Sequence, residues 1–250
     1  MVRIHLPPPE KTILWNRLFQ LNLPAASDIE GRGERMNIKG IIFDMDGTIF
    51  DTERQYIKAW LDAAEALGFD LSEKQIFACC GLPHAKVERL YLDYYGEDFD
   101  FGAFYKEKCR RVEKMWEEEG IAIKDGFFEL MEYCDKNNIP RAIATSTARG
   151  TVEYMLKRAG VEKYFDACVC GDEIENGKPN PDIFLEAAKR IGVPAEQCVC
   201  AEDSKNGIIA AHAAKTVSVF IPDAIAADDE IRSVADYVFE NLADIITLLN

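Results

Sequence analysis

No stretch of the 250 residues approaches the roughly 20 consecutive apolar positions that a membrane-spanning helix needs. No basic start followed by an apolar centre and a small-residue cleavage site marks a secretory signal. Together these absences lead us to expect a cytoplasmic protein with no membrane partner. Positive charge is also in short supply, with 29 Lys and Arg against 44 Asp and Glu and a net charge of −15. Nucleic acids and anionic membrane surfaces attract basic patches, so neither is an expected partner. Zinc-type cysteine spacing, with two to four intervening residues, is missing as well. The pairs Cys168/Cys170 and Cys198/Cys200 instead alternate along β-rich apolar runs, where thiols behave as small hydrophobes. Disulfides are not expected in a reducing cytosol.

What is present is ordinary globular composition, 48% hydrophobic and 29% charged, enough for one sizeable core or a core with a smaller lobe. Residues 1–35 differ from the rest and are expected to lie outside the fold. Three readings of them stand side by side. Ile29-Glu30-Gly31-Arg32 matches a protease-cleavage tag. Gly31 to Arg35 is encodable by purine-only codons, as a ribosome-binding site translated ahead of a true start at Met36 would be. Ile13, Leu14, Leu18 and Leu21 recur at helical spacing, as in a genuine helical extension.

Residues 38–43 form a short apolar run ending at Asp44, the pattern of a buried parallel strand. Amphipathic helical runs follow over 56–67, 72–78, 85–95 and 101–118, broken at Gly68, Gly81-Leu82-Pro83 and Gly96. After Gly120 the rhythm alternates. Helices are expected at 127–136, 151–159, 182–191 and 207–214 and strands at 140–144, 165–169, 197–201, 217–221 and 237–239, before a closing helix. The implied fold class is α/β, a mostly parallel Rossmann-like sheet covered by helices on both faces, with an all-helical cap domain inserted after the first strand. The expected boundaries are 36–51 and 122–250 for the core and 52–121 for the cap. The cap would stand over the carboxyl ends of the strands, where open α/β sheets bind ligands.

Polar residues recur at those ends. Asp44-Met-Asp46-Gly47-Thr48 sets two carboxylates two apart beside a glycine that permits a sharp turn; repulsion between them calls for a cation, and their hard oxygens suit magnesium. Thr145 and Ser146 close the next strand, Lys178 sits in the proline-bracketed loop Asn176 to Asp182, and Glu202-Asp203 end a later strand. Taken singly, each has a plain alternative as a turn, a cap or a solvated surface charge.

In this order and spacing the motifs resemble the haloacid dehalogenase-like superfamily of phosphotransferases, from about Met36 to Asn250, in the β-phosphoglucomutase-like phosphatase branch with a helical cap. The resemblance implies Asp44 as nucleophile, Asp46 as general acid and base, Thr145 as a hydrogen-bond donor to the phosphate and Lys178 as the bridging cation. It implies Mg²⁺ held by Asp44, Asp46 (through its carbonyl), Asp203 and Glu202. Asp46 argues against dehalogenation, because a halide leaving group needs no proton. Ser146, Arg149, Tyr56 and His84 are candidate substrate contacts. The expected activity is hydrolysis of a small phosphorylated metabolite, a sugar or polyol phosphate, by a monomer. The competing readings are a hexose-phosphate mutase and a non-catalytic phosphate-binding protein. Mutases similar to this chain carry a histidine where Tyr56 stands, and cap cations at positions matched here to Cys80 and His84. The loss of those cations favours hydrolysis.

Overall fold

The structure is a computed structural model that describes residues 37–79, 84–223 and 225–249, without the side chains of residues 84 and 85. The readings of residues 1–35, and the roles given to Cys80, Leu82 and the His84 side chain, lie outside the described residues.

Six strands form one all-parallel sheet: β1 Gly40–Phe43, β2 Arg141–Ala144, β3 Ala167–Val169, β4 Cys198–Glu202, β5 Val217–Phe220 and β6 Tyr237–Val238, in the order β3-β2-β1-β4-β5-β6. The central strands are apolar on both faces because helices cover both. Ile41 and Phe43 point into one layer with helices α5 (Phe127–Asn137) and α6 (Arg149–Ala159), whose Leu130, Met131, Val152 and Met155 are fully buried. Ile42 points the other way, onto Phe184 and Ala187 of α7 (Asp182–Arg190) and Ala210 and Ala211 of α8 (Lys205–Ala213). Cys198 and Cys200 are buried in that second layer as unbridged thiols. Both pack as apolar groups.

Between β1 and β2 the chain forms α1 (Glu53–Leu67), α2 (Glu73–Phe77), α3 (His84–Tyr95) and α4 (Phe101–Glu119). Start and stop signals are local: Ser72 and Gln75 make a reciprocal capping box, Asp100 caps α4 at Ala103, and left-handed Gly68 ends α1. These helices have their own core, in which Trp60 stacks on Tyr91 at 5.5 Å and Phe104 packs between Trp60 and Phe69. Each such ring pair adds about 0.5–1.5 kcal/mol beyond area burial. The block joins the sheet through two chain segments lying side by side. The Asp51 N–H donates to Ala122 O (3.0 Å) and the Lys124 N–H to Ile49 O (2.9 Å), with Phe50 bridged to Ile123.

The expected closing helix is a 3-10 run at Leu242–Leu248, started by Asn241, and a short helix α9, Asp229–Val234 with Asp228 as its cap, falls in a stretch read as irregular.

Candidate active site

Parallel register sets the site. Phe43 lies level with Ile143 of β2 and Ala201 of β4, so the residues that follow stand at one height, Asp44 just past its strand and Ala144 and Glu202 as the last of theirs. The Asp44 N–H still donates to Ala201 O at 2.9 Å, which ties the first residue of the turn to the sheet. Gly47 then adopts φ +80, and a Cβ there would stand 2.2 Å from Asp203 Oδ2. Only glycine lets the Asp46-Gly47 turn lie against Asp203.

Lys178 enters from the loop before α7, over the face of Phe184 (4.9 Å to the ring centroid). Its Nζ donates to Asp44 Oδ1, to Glu202 Oε1 (2.6 Å) and to Ala144 O (3.0 Å), filling all three donor positions. Burial works against its charge, but the Asp44 and Glu202 carboxylates hold its pKa above the usual lysine value. Burial pushes the Asp44 carboxyl up to about 7, against the pull of Lys178. Both oxygens of Glu202 are engaged, Oε1 by Lys178 and Oε2 by the Ser204 N–H and hydroxyl at 2.8 and 2.9 Å. Expected to assist Asp203 at the metal, Glu202 holds Lys178 in this arrangement. It fits because residue 207, at the start of α8, is glycine: a Cβ there would meet Glu202 Oε1 at 1.8 Å.

Asp203 accepts from the Thr48 hydroxyl at 3.0 Å through Oδ1. Burial, then Glu202, Asp44 and Asp223, raise its pKa well above the carboxylate range. Three carboxylates thus share one ammonium in a buried place, and hard oxygen donors with surplus negative charge suit a divalent cation such as Mg²⁺. The residues present fit that ion.

Asp46 stands one turn further out. Its Oδ2 accepts from the Thr147 hydroxyl (2.8 Å) and its Oδ1 from the Tyr56 hydroxyl (3.1 Å), so Tyr56 of α1 does reach the strand ends. Burial raises the Asp46 pKa while both donors oppose the rise. Thr145 is buried at the end of β2, and its Oγ1 accepts the Thr147 N–H at 3.1 Å, leaving its own hydroxyl proton to donate.

Two expected contacts are not brought into this group. Arg149 Nε donates to Glu173 (2.7 Å), its Nη2 donates to Cys168 O (2.7 Å), and its backbone N–H bonds Asp172, so nearby anions draw it to the β3 edge. Ser146 is exposed, and its carbonyl packs against Gly171. Trp60, read as facing the site, belongs to the core of the helical block.

Two residues escaped the sequence reading. Thr147 lies two positions beyond Thr145, within one short polar run. Lys108, on α4, lies over the rings of Tyr56 (4.5 Å), Trp60 (5.3 Å) and Tyr105 (5.4 Å), with no carboxylate at ion-pair distance among the described residues. Burial lowers its pKa, and Asp46 is among the groups that favour its charge. Lys108 thus adds to the helical block a cation other than those sought at positions 80 and 84. Nothing in the charged run Lys106 to Arg111 marks position 108, because only packing separates it from its neighbours.

The profile of haloacid dehalogenase-like hydrolases matches residues 41–221. The chain is 34% identical over 177 residues to a phosphorylated carbohydrates phosphatase of Thermotoga maritima (71% of this chain, 82% of that protein). It is equally identical over 177 residues to the fructose-1-phosphate phosphatase YqaB of Escherichia coli (70% and 92%). The crystal structure of CbbY from Rhodobacter sphaeroides in complex with phosphate superposes with a TM-score of 0.70 at 27% identity, covering 85% of this chain and 99% of that one. The chain belongs to the haloacid dehalogenase-like hydrolases. Among the described residues no helix is long and apolar enough to cross a membrane.

Proposed function

We propose that this enzyme is a Mg²⁺-dependent phosphatase of small sugar or polyol phosphate esters, acting through a phosphoryl group carried on Asp44. The observation that carries this reading is the convergence of Asp44, Lys178, Glu202 and Asp203 at one height of the sheet edge, with Asp46 beside them. The names of the two phosphatase relatives support the substrate class.

A phosphate monoester is dianionic and Asp44 adds a third charge. Lys178 offsets part of the repulsion and Thr145 donates to a phosphate oxygen. A bound Mg²⁺, held by Asp44, Asp203 and the Asp46 carbonyl, would supply the remaining charge neutralisation. The Asp44 carboxylate forms a bond to phosphorus as the bond between phosphorus and the ester oxygen breaks, and protonated Asp46 gives its proton to the departing alkoxide. As a carboxylate, Asp46 then takes a proton from water, which attacks phosphorus and frees Asp44. To reach the leaving oxygen, Asp46 must release one of its two donors, Tyr56 or Thr147. Helices over 52–121 act as a cap that excludes water before transfer.

Release of inorganic phosphate from a panel of phosphorylated sugars and polyols, with and without Mg²⁺, tests the reading. No turnover of any ester would end it. Lys108 supplies the one observation that favours the mutase reading, since a bisphosphate needs a cation for its far phosphate. Isomerisation of a hexose phosphate without phosphate release would establish the mutase instead.

Asp46→Asn should lower turnover of a sugar phosphate by about 10²–10⁴-fold. The loss should be much smaller for p-nitrophenyl phosphate, whose leaving group needs no proton. Equal losses on both esters would remove Asp46 from the acid role. Because burial raises its pKa, the protonated form persists to higher pH than in a free aspartate, and turnover of alkyl esters should fall on the alkaline side. That limb should vanish in the variant. Lys108→Ala should raise KM for a sugar phosphate about tenfold, the cost of one lost charge-assisted contact, with kcat changed less. An unchanged KM would show that the ammonium only packs on its three rings.

A further inference from the structure

Asp223 lies in the loop after β5, beside the Asp46-Gly47 turn. Its Oδ1 accepts from Lys124 Nζ at 2.7 Å, and the Lys124 and Asp223 side chains are only 15% and 9% exposed. Its Oδ2 is buried and has no hydrogen-bond partner among the described residues. That oxygen faces the same spot as Asp203: a Cβ on Gly47 would stand 2.2 Å from Asp203 Oδ2 and 3.0 Å from Asp223 Oδ2. A buried carboxylate oxygen without a donor is costly, and a second carboxylate beside it adds repulsion. Lys124 balances only the charge of Asp223 itself, through the other oxygen. A salt bridge serving structure alone would have no need to aim its free oxygen at Asp203.

We infer that Asp223 is a positioning residue of the cation site, oriented by Lys124, whose free Oδ2 accepts a hydrogen bond from a water of the cation's hydration shell. This rests on the reading of Asp44 and Asp203 as the cation's ligands. Mg²⁺ keeps several of its waters when protein-bound, and the groups that hold outer ligands typically change metal affinity by 10–100-fold. Lys124 also belongs to the segment that returns from the helical block, so the pair ties that segment to the cation site.

The test is calorimetric titration of the full chain with MgCl₂, without substrate, alongside thermal melting with and without Mg²⁺. Asp223→Asn is expected to weaken Mg²⁺ binding about 10–100-fold. Its metal-free melting temperature should fall, because Lys124 loses the charge of its buried partner, and the rise in melting temperature on adding Mg²⁺ should shrink. Asp223→Ala should weaken binding at least as much. Binding within twofold of wild type in either variant, with an undiminished rise in melting temperature on adding Mg²⁺, would overturn the inference and leave a purely structural ion pair. A wild type that binds no Mg²⁺ would overturn the cation reading itself, and this inference with it. If Asp223→Asn does not fold, the Ala variant decides by the same two readouts.

Discussion

Asp44→Asn is expected to abolish turnover, with a loss on the order of 10⁴-fold or more, while the protein stays folded. The amide is nearly isosteric with the carboxylate, so Oδ1 can still accept from Lys178 and the backbone bond to Ala201 is untouched. What disappears is the anionic oxygen that bonds to phosphorus. Acid quenching during turnover of a radiolabelled ester should trap phosphoprotein in the wild type and none in the variant. Retention of more than a few per cent of activity, or equal labelling of both proteins, would mean that the phosphoryl group never resides on residue 44. Phosphate release by both proteins without any labelling would point to direct attack by water.

Lys178→Met should be the most destabilising single change in the site. Lys178, Asp44 and Glu202 have side chains 7%, 11% and 1% exposed, so removing the ammonium leaves two carboxylates facing each other without water. Breaking a buried pair by deleting one partner costs about 3–5 kcal/mol, a large share of a typical 5–15 kcal/mol of stability. Protonation of Asp44, already pushed up to about 7 by burial, recovers part of this at neutral pH. Without Lys178, which lowers that pKa, the carboxyl titrates higher still, so the loss should deepen as the pH rises above 7. Turnover should fall about 10²–10³-fold as well, the usual effect of removing one group that stabilises developing charge. Urea unfolding at several pH values measures the first effect and phosphate release the second. In the double variant Lys178→Met, Glu202→Gln, one of the two stranded charges is gone, so stability should partly return while activity does not. If the double variant is no more stable than the single one, Glu202 does not carry charge in the folded protein.

The parts legible in the sequence were those whose cause is local. An apolar run followed by a polar cluster marks a buried strand delivering side chains to a site, and Asp44, Thr145 and Asp203 were marked that way, Lys178 by its proline-bracketed loop before a helix. Parallel register then does the rest, because strands that start level also end level. Arg149 was misread because its partners, Glu173 and Cys168, come from another strand end. The pull of the Glu173 carboxylate and the Cys168 carbonyl is invisible in the segment that contains Arg149. Lys108 and Asp223 were missed for the complementary reason: one is a lysine in a run of charges, the other an aspartate after a proline. Their meaning lies in the rings and the carboxylate that packing sets beside them. The closing segment carries a sound start signal in Asn241 but only seven residues, too few for an isolated helix to hold its α form against tighter 3-10 bonding.

The tight approach of residue 207 to Glu202 bears on how this family can vary. Alanine is ordinarily a better helix former than glycine, so drift at position 207 toward alanine would be favoured on propensity alone. Here the first carbon added would occupy the space of the Glu202 carboxylate. A descendant that gained a side chain at 207 would first have to shorten residue 202, and so release the ammonium that Glu202 holds. The two positions are locked into a joint history, and a neutral walk through single substitutions at either one is closed.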